Sequence, residues 1–327
     1  MAGFIFEVFK REGDCRMKVI MLTENDPAGM GIAFTNAINQ HTDHYCRLIT
    51  TAEKYCFNFV KDVHIPDMPF SDSIEWHEVE DLLKFSDIFH FQILSDESMQ
   101  LGPFKVADYI KGKKIVHHHH GHDDFRTNPE KYRQKYKKLN RKVLVSTPDL
   151  LLGLPEAYWM PNCVPVNDPL YMPTEKRYEE FTVGHSPTRL ALKNTADLVE
   201  AANKAGVNVD IIMNTDHREC LRRKQKCHVI FDHLQGYYGV SSLEGLSMDK
   251  EVFAGLSEYV EKKIREFTEV DFHPWWIPTK ENLWKFLKVS KDEFPEKIMN
   301  HGCRDFMVNH WSDKKVVTRL IKFYETL

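Results

Sequence analysis

The chain has 327 residues, 42% of them apolar and 28% charged, with 44 Lys plus Arg against 48 Asp plus Glu and a formal charge of -4. These proportions suit a globular chain long enough for two domains, and they exclude a disordered tail protein, a membrane bundle and a polycation that coats nucleic acid through its mean charge. Cys15, Cys46, Cys56, Cys163, Cys220, Cys227 and Cys303 are odd in number, widely spaced and without a C-x-x-C pair. They point away from a disulfide framework or a zinc site and towards a reducing, cytoplasmic compartment.

The segment before Met17 sets Phe4, Ile5, Phe6 and Phe9 among Glu7, Lys10, Arg11 and Glu12. It is too charged for a signal peptide or a membrane span, and reads either as a strand or as an extension upstream of the true start. From Met17 on, short apolar runs alternate with longer amphipathic stretches, the pattern of a parallel sheet covered on both faces by helices. Strands are predicted over Lys18–Thr23, Cys46–Thr51, Ile88–Phe91, Lys114–His118 and Lys142–Ser146, each short and apolar or β-branched, as buried parallel strands are. Helices are predicted over Ala28–Asn39, behind a glycine-rich entry, and over Asn128–Asn140, where Tyr132 and Tyr136 lie one turn apart.

Between Tyr158 and Tyr178 the chain is too dense in proline for a long regular element. This stretch separates a first domain, residues 1–165, from a second, residues 181–327, with the linker at 166–180. The second half repeats the alternation, with strands at Phe181–Gly184, Val207–Met213, Cys227–Phe231 and Val252–Leu256 and helices at Lys193–Ala205, Asp216–Lys224 and Ser241–Met248. From Lys280 the tail has helical periodicity, and its stripe of Val316, Val317, Leu320, Ile321 and Tyr324 is expected to pack against the other domain.

Four segments carry residues suited to chemistry. Asp26-Pro-Ala-Gly29-Met-Gly31 follows the first strand and opens a helix, where a doubly wound sheet holds its ligand. Its glycines let backbone amides approach an anion, or simply make a tight turn; the spacing is not G-x-G-x-x-G, so a nicotinamide dinucleotide is poorly supported. His117 to His120, followed by Gly121 and His122, lies at the carboxyl edge of the first sheet. Alternation sends His118 and His120 to one face and His117 and His119 to the other, and the tract fits a substrate site or a metal-binding run that lacks a partner motif. Arg189 and Lys193 sit near a helix start, where a cation is disfavoured by about 0.3–1 kcal/mol, so they mark an anion site or solvated surface charge. The stretch from Phe231 to Met248 ends a strand, passes Tyr237 and Tyr238 in a glycine-bracketed loop and starts a helix near Ser241. Ser241-x-x-Glu244 fits a capping box, and equally a carboxylate that takes the two hydroxyls of a ribose while the loop amides face a diphosphate.

In chain order, Met17-Lys-Val-Ile-Met-Leu with the Gly29 and Gly31 loop, His120-Gly121, Trp159-x-Pro161-Asn162, Lys193 and Gly236-Tyr-Tyr-Gly-Val-Ser-Ser-Leu-Glu244 resemble the GT-B glycosyltransferases of family 4, the group 1 type. The likeness runs from Met17 to the C-terminus. It implies an α/β fold of two Rossmann-like domains facing each other across a cleft, and a retaining, metal-independent transfer of a sugar from a nucleoside diphosphate, UDP foremost, to a hydroxyl, with no cofactor. It implies that Glu244 takes the donor ribose, that Lys193 with Arg189 neutralises the diphosphate, and that Gly239 and Ser241 belong to the same donor site. The Gly29 and Gly31 loop would face the diphosphate from the other domain, and His120 would act on the transferred sugar as the catalytic residue. In such chemistry cations and a helix dipole stabilise the leaving diphosphate as the sugar becomes oxocarbenium-like. Two places depart from the family: Gly236 stands where a glutamate completes an E-x7-E pair, and Asp249 with Lys250 replace a glycine.

A basic stretch of Arg126, Lys131, Arg133, Lys135, Lys137, Lys138, Arg141 and Lys142 is interleaved with Tyr132 and Tyr136 and opposed in its own window only by Glu130; Arg222, Arg223, Lys224 and Lys226 form a second cluster. Asp123, Arg126, Arg133 and Lys137 are the acceptor-side candidates. The stretch fits a solvated helix face, or a dock for anionic lipid at a membrane surface, an acidic glycan or a nucleic-acid backbone. The acceptor therefore stays open among glycan, lipid and a hydroxylated base in DNA. Two other readings are a nucleotide-sugar-binding protein that has lost turnover, motivated by Gly236, and a nucleotide-sugar epimerase on the same fold.

Overall fold

The computed structural model describes residues 17–55, 57–69, 74–294 and 302–327; the readings made of Met1–Arg16 and of Cys56 lie outside the described residues. The first half runs β1 (Lys18–Thr23), α1 (Met30–His41), β2 (Tyr45–Thr50), β3 (Val63–His64), α2 (Ile74–Phe85), β4 (Ile88–Gln92), an antiparallel hairpin of β5 (Gln100–Leu101) and β6 (Phe104–Lys105), then β7 (Lys114–His119), α3 (Asp123–Thr127), α4 (Pro129–Leu139), β8 (Lys142–Val145) and β9 (Tyr158–Trp159). Apart from the hairpin these strands pair in parallel in the order β3-β2-β1-β4-β7-β8-β9. The second half runs β10 (Thr182–His185), α5 (Thr195–Ala205), β11 (Asn208–Ile211), α6 (His217–Lys226), β12 (Val229–Phe231), α7 (Val240–Ser247), β13 (Glu251–Phe253), α8 (Glu258–Thr268), β14 (Trp275–Trp276) and α9 (Leu283–Asp292). Its strands pair in parallel as β11-β10-β12-β13-β14. This is the architecture of two Rossmann-like units expected from the alternation of apolar runs and amphipathic stretches.

The central strands are legible because they are buried on both faces. In β1 every residue after Lys18 is buried, and β4 is buried throughout, so neither strand needs a polar face. The strand order reverses between β1 and β4 in one sheet and between β10 and β12 in the other, and a doubly wound sheet opens its ligand crevice beyond the carboxyl ends of the strands at that point. Thr23, Gln92 and His119 end the strands on one side; His185 and Phe231 end them on the other.

The structure adds elements that the periodicity did not mark. β3, β9 and β14 are two-residue pairings at sheet margins, too short to carry an alternation, and α2 and α8 are helices. It also corrects the start of the first helix of the second half. A 3-10 turn spans Leu190–Leu192, Lys193 follows it, and α5 begins only at Thr195 because Asn194 adopts a left-handed backbone at φ 54.

After α10 (Cys303–Phe306) and a π-helical turn over Met307–Trp311, the chain ends in α11 (Asp313–Glu325). Ser312 caps α11 by accepting from the Lys315 amide at 3.4 Å. Val316, Val317, Leu320 and Tyr324 of α11 join one apolar core with Phe34 and Ile38 of α1. Two polar ties fix the same contact: His41 Nε2 lies 3.0 Å from Asp313 Oδ2, and Tyr324 Oη lies 2.5 Å from His90 Nδ1. The terminal helix thus packs on the first sheet although the chain reaches it from the second. Just before it, Trp311 is fully buried, with ring centroids 5.1 Å from Phe267, 5.6 Å from Tyr238, 5.8 Å from Trp275 and 5.9 Å from Trp159. Its indole N–H donates to the Asn162 carbonyl at 3.0 Å. Deleting packed methyls here is costly: Leu320→Ala is expected to lower the unfolding free energy by about 2–5 kcal/mol in urea titration, and a loss below about 0.5 kcal/mol would show that α11 is not packed as described.

Candidate functional site

The carboxyl edges of the two sheets meet. Arg189 Nη1 of the second unit donates to Asp123 Oδ2 of the first at 2.9 Å, and the Arg126 guanidinium lies 4.1 Å from the Tyr237 ring centroid. The His217 amide donates to the Phe57 carbonyl at 2.8 Å, and the Phe59 and His217 rings lie 4.4 Å apart. The cleft between β1, β4 and β7 on one side and β10 and β12 on the other is therefore lined by both halves of the chain.

Glu244 is buried on α7 and does not close a capping box. The helix begins at Val240 with Gly239 as its N-cap, and no side chain caps it. Instead Glu244 Oε2 accepts from Lys224 Nζ, and Oε1 lies 2.7 Å from His217 Nε2. Burial pushes the Glu244 carboxyl up, but Lys224 and His217 outweigh it and hold it at about 2. Lys224 Nζ also donates to Ser241 Oγ at 2.9 Å, and Ser186 Oγ lies 3.1 Å from the same hydroxyl. The result is an ionised carboxylate at the edge of the cleft, anchored from beneath by a buried ammonium.

At the start of α7, Asp232 accepts from the Gly239 amide at 2.5 Å and from Ser242 Oγ at 2.7 Å. Burial works against its charge, yet His233, Lys193 and these hydrogen bonds keep its carboxyl well below the usual range. Lys193 Nζ lies 3.8 Å from Asp232 Oδ1, and burial lowers the lysine pKa. The positive end of α7, where a diphosphate is expected, thus holds a carboxylate of the protein itself.

The first unit repeats the device around Gly29 and Gly31. The amides of Gly31 and Ile32 donate to the Asp26 carboxylate at 3.1 and 3.0 Å. Gly29 is left-handed at φ 65, and a Cβ there would lie 2.5 Å from the Phe59 ring. These glycines answer to Asp26 and Phe59, leaving the first turn of α1 already occupied. His120 stands at the end of β7, with Nε2 2.6 Å from Gln92 Oε1 and Nδ1 3.0 Å from Asn162 Oδ1. Burial pushes its imidazole down to about 4, so the ring is neutral at ordinary pH. The four histidines divide as alternation requires: the His118 ring lies 4.3 Å from His120 and His119 Nε2 lies 2.6 Å from Tyr136 Oη on the other face. Among the described residues no group of three His, Cys, Asp or Glu side chains is placed to hold a metal ion.

The acceptor-side candidates separate. Asp123 and Arg126 reach the cleft, with Arg126 paired to Asp149 and donating to the Gly121 carbonyl at 3.0 Å. Arg133 donates to Glu156 at 2.7 Å on the exposed face of α4, and Lys137 lies in the field of the same carboxylate. The basic stretch is not bare. Lys131 pairs with Asp124 at 2.9 Å, Lys135 with Asp96 at 2.5 Å and Arg141 with Glu97 at 2.8 Å, while Tyr132 and Tyr136 are buried. In the second cluster Arg223 pairs with Asp210 and Lys224 is buried under Glu244. A window along the chain sees only Glu130; folding brings the other acids from distant loops.

Lys224, His217, Asp232, Gln92 and Asn162 belong to the site and were missed as such. In sequence Lys224 is one of the second basic cluster, and no local signal distinguishes it. Asn162 was noted only as part of Trp159-x-Pro161-Asn162. Gly236 has a structural reason: its φ of 86 lies in the left-handed region, where a glutamate would be strained. Asp249, which replaces the family's glycine, is also left-handed at φ 55.

Two outcomes follow from these charges. A carboxyl depressed by folding adds stability above its unfolded pKa, near 4.5 for a glutamate, and that stability is lost as pH falls through about 2. The stability gap between the protein and Glu244→Gln is expected to stay constant above pH ~5 and to narrow below it in urea titrations; a gap that ignores pH there contradicts the pairing. Because Lys131, Arg133 and Lys135 are matched, the α4 face is expected to bind duplex DNA with a salt slope equivalent to no more than about two phosphates in fluorescence anisotropy; a slope of about six or more would restore the nucleic-acid dock.

No protein-family model and no curated protein matches the sequence. The structure is similar to HepE of Anabaena, solved in complex with UDP and glucose, at a TM-score of 0.63 and 11% identity over 95% of this chain and 100% of that one. It is similar to a glycosyltransferase from Rickettsia africae, at 0.63 and 14% over 96% and 99%, and to the UDP-GlcNAc 2-epimerase of Neisseria meningitidis, at 0.50 and 12% over 95% and 100%. At these identities what is shared is the fold, and the fold of this chain is that of the GT-B glycosyltransferases.

Proposed function

We propose that the protein is a retaining glycosyltransferase that moves a sugar from a nucleoside diphosphate, UDP foremost, to a hydroxyl acceptor, a glycan or a lipid. The observation that carries this reading is the buried, ionised Glu244, held by Lys224 and His217 at the edge of a cleft whose other cations, Lys193, Arg126 and Arg189, each hold an acid. Residues 181–327 supply the donor side and residues 1–165 the acceptor side. Glu244 takes the ribose. A diphosphate entering beside Lys193 exchanges one set of anions for another: it competes with Asp232, Asp149 and Asp123 for the three cations. As the bond to the sugar lengthens, charge gathers on the leaving diphosphate, and fixed cations stabilise it without reorganising. Those side chains supply the charge that would otherwise come from a metal ion. His120, neutral and fixed between Gln92 and Asn162, offers a ring nitrogen to a sugar hydroxyl.

The likeness to structures of glycosyltransferases at a TM-score of 0.63, against 0.50 for the epimerase, favours transfer over epimerisation. Lys193→Ala and Glu244→Ala are each expected to weaken UDP binding about tenfold or more in calorimetric titration; unchanged affinity in both sinks the donor site. Incubation of the protein with UDP-sugars and hydroxyl acceptors is expected to release UDP at a rate indifferent to EDTA, with the donor's anomeric configuration kept in the product by NMR. Donor binding with no UDP release from any donor and acceptor pair favours the nucleotide-sugar-binding reading instead.

A further inference from the structure

Lys193 and Asp232 differ in how they can respond to an anion in the cleft. The Lys193 side chain is 26% exposed and its Nζ stands 3.8 Å from Asp232 Oδ1, too far for a hydrogen bond, so the ammonium is free to turn outward. The Asp232 side chain is 3% exposed and cannot follow it. Oδ2 is held by the Gly239 amide and the Ser242 hydroxyl at the start of α7. Oδ1 would lose its ammonium, and a buried carboxylate without a partner is costly.

His233, two residues beyond the end of β12, brings a second donor to that oxygen. Its Nδ1 accepts from the Gln235 amide at 3.3 Å, so in the neutral ring Nε2 carries the proton. Burial, with Lys193 and Arg126 nearby, outweighs Asp232 and Asp149 and holds the imidazole at about 4, so the ring is neutral at ordinary pH. The Nε2–H is buried, has no hydrogen-bond partner among the described residues and lies 3.6 Å from Asp232 Oδ1. Buried donors without an acceptor are rare because they forfeit the bonds that water would make. The side chain is fully buried, with the Tyr237 ring against it at 4.6 Å between centroids, so His233 acts through Asp232 rather than on a ligand.

Resting on the donor-site reading above, we propose that His233 is a positioning residue that takes Asp232 over from Lys193: when a diphosphate draws the ammonium outward, Nε2–H closes on Oδ1 as a hydrogen bond. A movement of roughly half an ångström brings the two atoms into range. One donor replaces another at the same oxygen and no proton changes hands. Asp232 stays ionised and keeps its hold on the start of α7, while Lys193 is released to the phosphates. The N–H gains its partner only in the donor-bound state, so the exchange favours that state.

Calorimetric titration of the full chain with UDP tests this. His233→Phe, which keeps a ring and removes the N–H, is expected to weaken UDP binding about tenfold or more, and His233→Gln, whose amide reaches the place of Nε2, to recover most of the affinity. In an Asp232→Asn background no charge is left behind, and there His233→Phe is expected to change UDP affinity by less than about twofold. Melting curves establish that each variant is folded. A loss of equal size in both backgrounds assigns the ring to packing alone and overturns the proposal. The unchanged protein gives a reading that needs no stable variant: UDP is expected to move the His233 Nε2–H proton resonance downfield as its bond to the carboxylate forms, and a resonance that UDP leaves in place overturns the proposal too. Undiminished UDP binding by His233→Phe does the same and leaves the donor site standing. If the unchanged protein does not bind UDP, the donor-site reading fails and this proposal falls with it.

Discussion

Burial of Trp311 sets where the two sheets stand. Its ring touches Trp159 at the margin of the first sheet, Tyr238 beside α7, Trp275 at the margin of the second and Phe267 on α8. Large aromatic surfaces packed edge to face leave few alternative arrangements, and a shift of one displaces the rest. The Trp311 indole also holds the Asn162 carbonyl, and the Asn162 side chain meets His120. A residue far along the chain from the cleft therefore positions the His120 ring. The path of the terminal helix follows from the same packing: once Trp311 is anchored, Ser312 caps α11 and the chain continues onto α1.

Within that frame the cleft is electrically self-satisfied. Two helices that start at these edges have their positive ends taken by an aspartate, Asp26 at α1 and Asp232 at α7. Each cation at the cleft has an acid partner: Arg126 with Asp149, Arg189 with Asp123, Lys193 with Asp232 and Lys224 with Glu244. These pairs differ in kind. Arg189 and Asp123 are exposed, so water screens their attraction and their exchange for another anion costs little. Lys224 and Glu244 are buried, where removing one partner strands the other. The site thus combines a fixed carboxylate with cations whose own partners can be replaced.

The strands and most helices were legible because a parallel sheet buries short apolar runs, and burial leaves a mark in sequence that needs no partner to be seen. The site was legible in part. His120 follows the end of β7, Lys193 precedes α5 and Glu244 lies within α7, all near element boundaries that the pattern locates. Lys224 was illegible because nothing local separates a buried lysine from the exposed Arg222 two positions before it; the distinction is the carboxylate that α7 brings over it. The pairing of the basic stretch was illegible for the same reason, since Asp96, Glu97, Asp149 and Glu156 come from other parts of the chain.

By itself the sequence determined the alternation of elements, the division of apolar from polar residues and the glycines at Gly29 and Gly236, because these depend on neighbours within a few positions or on backbone angles. Only the tertiary structure decided which charges are free to meet a ligand. Hydrogen bonds and ion pairs act over a few ångströms, and the side-chain partners of Glu244, His120 and Arg126 are separated from them by 20 to 42 positions along the chain. An overall charge of -4 carries no trace of that pairing. It becomes a description of the site only after folding has matched each cation to its acid.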